Sequence, residues 1–116
     1  MKKFLVLLSE KQPHLLNENL LNIHIDFLKK LRADNHLPLC GPFTDNKGAL
    51  LIINADSLAH AENIIKEDPF IKQKYYKKFA IHEFMVAGEE NNWLSDAKQT
   101  TENMHKTSKC GPIIIF

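Results

Sequence analysis

Apolar residues in this chain fall into short blocks whose spacing switches between the two-residue period of a strand and the 3.6-residue period of a helix. Residues 2–9 are apolar on both alternating sets, Phe4/Val6/Leu8 and Leu5/Leu7, the pattern of a strand buried on both faces. Pro13 marks a loop. Leu16, Leu20, Ile23, Phe27, Leu28 and Leu31 then recur at helical spacing, and Asn17 or Asn19 can cap a helix running to residue 34. Residues 37–43 read as a second, short strand, which Pro38 and Gly41-Pro42 confine to a sheet edge. After the turn Asp45-Asn46-Lys47-Gly48, residues 49–55 form a third strand, again apolar on both faces. Asp56 or Ser57 caps a second helix to residue 67, with Leu58, Ala61, Ile64 and Ile65 inward. Asp68-Pro69-Phe70 ends it, because a residue before proline is pushed out of the helical region. Residues 76–86 form a fourth strand, with Phe79/Ile81/Met85 on one face and Ala80/Phe84/Val86 on the other.

The order β-α-β-β-α-β predicts an α+β fold of the ferredoxin-like split type, a four-stranded antiparallel sheet with two helices on one face. Two helices cover one face, yet both faces are apolar. A second copy of the same sheet is the simplest cover, so the pattern predicts a homodimer with sheets face to face. Residues 1–88 form this domain and 89–116 a C-terminal extension. In the extension, Trp93 is expected to anchor packing, 97–109 is a polar connector, and Ile113-Ile114-Ile115-Phe116 suits either an extra strand at 112–116 or a disordered apolar end.

Composition narrows the function. Fifteen basic against fourteen acidic residues leave a net charge of +1, and Arg32 is the only arginine. Neither a global field nor bidentate phosphate readout is available, which argues against nucleic acid as a partner. No stretch has the ~20 apolar residues of a membrane span. The run Phe4 to Leu8 is too short for a signal peptide, and two cysteines, Cys40 and Cys110, are too few for a secreted scaffold. A reduced, cytoplasmic protein is expected. Phosphate loops, dinucleotide fingerprints and zinc spacings are missing from the sequence, so no cofactor and no metal are expected.

What remains is titratable residues in places where titration is costly. His24 lies four residues after Leu20 and three before Phe27, on the inward stripe of the first helix. A histidine there is partly desolvated and its tautomer needs a fixed partner. The same spacing suits a hydrogen-bonded core residue. Asp68 closes the second helix, where the dipole disfavours an anion, so it gains by pairing with a donor. In the split motif the two helices lie side by side, which brings an inward residue of one near the end of the other; Asp68 also suits a solvated helix stop. His14, His36, His60 and His105 fall in loops, edges, the second helix and the tail. His82 shares a strand face with Ala80 and Phe84 and is read as structural, and Cys40 is read as a small buried residue.

His24, the Cys40-Gly41-Pro42 turn, Gly48, Ala61 and Asp68-Pro69-Phe70, in that order and spacing, resemble the YciI-like (YCII-related) family over residues 3–87. The resemblance implies a small ferredoxin-like domain that dimerises into an α/β barrel. It implies that His24 and Asp68 act as an acid/base pair lining a pocket. Some members of the family are dehydrochlorinases on hydroxylated aromatic rings, and the wider superfamily includes muconolactone isomerases and haem-degrading oxygenases. Leu21 departs from the pattern, since members often carry an arginine one turn before the histidine. On this basis Gly41 and Pro42 shape the pocket wall and Phe70 supplies an apolar surface for a small-molecule ligand. Two functions are open: a lyase or isomerase acting on a small cyclic or aromatic metabolite through the His24–Asp68 pair in a pocket that the dimer encloses, or a non-catalytic small-molecule binding module.

Overall fold

A computed structural model describes residues 1–94. In the unit Met1–Met85 the described chain runs β1 (Lys2–Lys11), α1 (Glu18–Ala33), β2 (Leu39–Pro42), β3 (Ala49–Ala55), α2 (Leu58–Lys66), α3 (Pro69–Lys72) and β4 (Tyr76–Phe84). The strands form one antiparallel sheet in the order β2-β3-β1-β4, with helices packed on it, so the α+β class read from the pattern holds. The helices begin where the caps place them. Asn17 Oδ1 accepts the Leu20 N–H at 2.8 Å and Ser57 Oγ accepts the His60 N–H at 3.1 Å.

The core forms where period-2 and period-3.6 stripes meet. Phe4, Val6 and Leu8 of β1 face Leu51 and Ile53 of β3, all at most 2% exposed, beneath Leu20 of α1 and Ala61 and Ile65 of α2. Gly48 permits a close approach at the β2–β3 turn, since a Cβ there would stand 2.5 Å from the Leu8 carbonyl oxygen. On the opposite face, Leu5 pairs with Ile52 and His82, and Leu7 with Leu50 and Ala80. The four leucine and isoleucine residues there are half-buried, while Ala80 and His82 are exposed.

Several boundaries differ from the sequence reading, each for a local reason. β2 starts at Leu39 rather than 37, leaving Leu37 buried in the core ahead of it. β1 runs on to Lys11 through Glu10, whose φ of 56° is left-handed. β4 stops at Phe84. Between α2 and β4 the chain makes an extra helical turn, α3, with Asp68 as its cap and Pro69 at its first position.

A second unit starts at Val86. Within it Asn91 closes a turn, accepting from the Gly88 N–H at 2.9 Å and donating to the Val86 carbonyl at 2.7 Å. Trp93 is exposed, against the packing role expected of it. The connector 97–109 and the strand expected at 112–116 lie outside the described residues.

Candidate acid/base site

His24 stands in the middle of α1 with its side chain 13% exposed, and its Nδ1 lies 2.8 Å from Asp68 Oδ1. Asp68 is completely buried at the junction of α2 and α3. The same Oδ1 accepts the Phe70 N–H at 2.9 Å. As a carboxylate, Asp68 accepts in both bonds, so a neutral imidazole in this geometry carries its proton on Nδ1 and leaves the lone pair on Nε2. Nε2 has no hydrogen-bond partner among the described residues. Asp68 Oδ2 is the one fully buried side-chain nitrogen or oxygen among them without a partner.

The position of Asp68 refines the sequence reading. It is paired with the donor that reading calls for, His24, and is not the solvated stop of the alternative, but the end of α2 does not by itself describe its place. The extended backbone that proline imposes on it turns the carboxylate onto the Phe70 amide in the first turn of α3, where an aspartate cap is favoured. One residue thus ends one helix, starts the next and grips His24.

Aromatic rings continue from the pair. The His24 imidazole stacks on Phe70 with centroids 3.6 Å apart and planes 8° from parallel. Phe70 meets Tyr75 at 4.5 Å, Tyr75 meets Tyr76 at 5.0 Å, and Lys11 Nζ lies 5.7 Å from the Tyr75 centroid. These groups line a cavity of about 450 Å³ between α1 and the covered face of the sheet, beside edge strand β2. That volume suits a small organic molecule.

Of the residues the sequence singled out, His24, Gly41, Pro42 and Phe70 all lie on this wall, and Asp68 stands behind His24 rather than on the wall. A Cβ at Gly41 would meet nothing within 4 Å, so packing inside the chain does not demand glycine there.

Lys11, Asn46, Tyr75 and Tyr76 also line the cavity and escaped the sequence reading. Strand alternation would place Lys11 with Leu5 and Leu7 on the open face, but left-handed Glu10 breaks the alternation and Lys11 joins Leu8 at the cavity. For the tyrosines a signal did exist: two adjacent aromatics soon after Asp68-Pro69-Phe70, at the mouth of β4. Burial pushes the Tyr76 phenol up, helped by neighbouring Tyr75 and the Asp68 charge, so it stays protonated at neutral pH.

Cys40 is exposed on the edge strand rather than buried as expected. Its thiol is shielded enough on the cavity side to be raised by desolvation, with Arg32 opposing and Asp68 adding to the shift. It is therefore a poor nucleophile. Elsewhere, His36 Nδ1 lies 2.8 Å from the Asn54 carbonyl and His60 Nδ1 accepts the Asp56 N–H at 3.1 Å. Among the described residues, no three His, Cys, Asp or Glu side chains converge as a metal site, and no helix is long and apolar enough to cross a membrane.

Comparison with known proteins follows the same core. The family model of the YCII-related domain matches residues 3–85. Over 48 residues the chain is 42% identical to the uncharacterized protein YjpA of Bacillus subtilis (strain 168), a match covering 41% of this chain and 56% of that protein. The chain thus spans about half the length of the curated relative it matches. Among solved structures, 5-chloro-2-hydroxyhydroquinone dehydrochlorinase (TftG) from Burkholderia phenoliruptrix AC1100, in complex with 2,5-dihydroxybenzoquinone, superposes with a TM-score of 0.61. It is 22% identical, with 78% of this chain and 99% of that chain covered, a likeness that speaks for the fold.

Proposed function

Because the chain belongs to the YCII-related domain family, we propose that it is an acid/base enzyme of lyase or isomerase type acting on a small cyclic or aromatic metabolite. The observation that carries the reading is the hydrogen bond from His24 to a carboxylate with no exposure of its own, on the wall of a cavity of ligand size. In it, Nε2 takes a proton from the bound ring and returns it at a neighbouring atom, or delivers it to a leaving group. Asp68 is a positioning residue. It holds the tautomer and offsets the charge of the imidazolium formed in transit. The stacked Phe70 fixes the ring plane and keeps water from one face of it. The dehydrochlorinase to which the fold is similar acts, by its name, on a chlorinated hydroxyhydroquinone, and a ring of that class suits the aromatic wall.

The working unit in this reading is a homodimer. Leu5, Leu7, Leu50 and Ile52 form an apolar row that the helices of the described residues leave half-buried, and in this reading a second copy of the sheet buries it.

The test is to incubate the protein with a panel of small hydroxylated aromatics and quinones and analyse what comes out. Conversion by the wild type, reduced about 10²–10⁴-fold in His24→Gln, is the expected result. Ligands that bind yet emerge unchanged would make the protein a non-catalytic binding module. Turnover that survives His24→Gln would remove His24 from the mechanism.

A further inference from the structure

We propose that Lys11, Asn46 and the Tyr75 hydroxyl form a subsite for an anionic oxygen, so that the cavity selects small planar rings bearing a phenolate, enolate or carboxylate. This deepens the reading of the cavity as a substrate site and rests on it. The aromatic wall has two unlike ends, His24 stacked on Phe70 at one and Lys11 above Tyr75 at the other. A ring lying along the wall meets a proton acceptor at the first end and a cation at the second.

Among the described residues the lining has no carboxylate, and Asp68 is shielded behind His24. With the Cys40 thiol and Tyr76 phenol held protonated, Lys11 carries the standing charge of the cavity. Its ammonium is fixed in place. Asn46 Oδ1 lies 2.6 Å and the Asn46 carbonyl 3.3 Å from Lys11 Nζ. Asn46 turns both of its oxygens to Lys11, while its side-chain N–H groups have no partner among the described residues. The Tyr75 hydroxyl has none either, and it is not among the sealed polar atoms. The end of the wall near Lys11 therefore offers a cation and neutral donors with no carboxylate beside them among the described residues, a setting that suits an anionic oxygen. None of the cations of α1 lines the cavity, where Leu21 stands one turn before His24, and Lys11 brings one from β1 instead.

A purely structural role for Lys11, pinning the β2–β3 turn through Asn46, would alter stability but not discriminate ligands by charge. Calorimetric titration of the full chain separates the two, with 4-nitrophenol at mildly alkaline pH as the anionic probe and nitrobenzene as the neutral one. The wild type should bind the phenolate more tightly than nitrobenzene. Lys11→Met, which keeps the stem, should weaken phenolate binding about tenfold and leave nitrobenzene unchanged. Asn46→Asp places a carboxylate in the subsite, suits the left-handed backbone at 46, and should act in the same direction. A wild type that binds nitrobenzene without preferring the phenolate overturns the subsite and leaves the His24 reading standing. Variants that weaken both probes equally also overturn it. A wild type that binds neither probe overturns both readings.

Discussion

The two faces of the sheet are made of nearly the same side chains and have opposite fates. Phe4, Val6, Leu8, Leu51 and Ile53 are at most 2% exposed, while their immediate neighbours Leu5, Leu7, Leu50 and Ile52 are half-buried. Hydrophobicity alone does not separate the sets; the cover does. α1 and α2 lie on one face, and there the chain can also shelter a histidine and a carboxylate from water. The open face has apolar area and no such enclosure. Site and core therefore share a layer, and the other layer keeps its apolar residues half-buried.

Adjacent isoleucines give the sharpest way to break that contrast. Ile53→Ala, inside the core, should cost about 2–5 kcal/mol in denaturant unfolding. Ile52→Ala, one residue away, should cost markedly less in dilute protein, and its cost should grow with protein concentration as a second copy buries that face. Equal costs at every concentration would erase the difference between the faces. Asp68→Ala comes next, at about 2–4 kcal/mol, because it strands the His24 and Phe70 N–H groups in a buried place. Leu7→Lys on the open face should leave the chain folded, measured by circular dichroism, and convert a sedimenting dimer to monomer. A Leu7→Lys protein that still sediments as a dimer would show that the open sheet face is not the interface.

The smallest effect lies at alkaline pH. The Tyr76 phenol is raised in the folded state, so below the ordinary tyrosine pKa both states hold the proton and nothing changes. Above that value the unfolded chain loses its proton while the folded chain keeps it, and stability falls as pH climbs. Tyr76→Phe should flatten this decline in thermal melts across the alkaline range.

The elements were legible because stripes and caps agree. Phe4/Val6/Leu8, the Leu20–Leu31 stripe and the caps Asn17 and Ser57 each point to the same local structure. What escaped reading turns on single backbone angles and on a doubled role. Glu10, left-handed at φ 56°, re-aims Lys11 into the cavity, and no periodicity announces it. Asp68-Pro69 reads as a stop, and only in three dimensions does the stop become the cap of α3. Cys40 passes for a buried residue by type, whereas a four-residue edge strand exposes it. His24 could be placed on the inward stripe but not assigned a proton, because tautomer depends on which ring nitrogen meets the partner carboxylate.

That proton is the most direct test. Ring-nitrogen chemical shifts of His24 by heteronuclear NMR, taken where the imidazole is neutral, distinguish the two tautomers. The expected result is a protonated Nδ1 bound to Asp68 and an Nε2 with a free lone pair facing the cavity. An Nε2-protonated ring would contradict it, since no base would then be presented to a ligand.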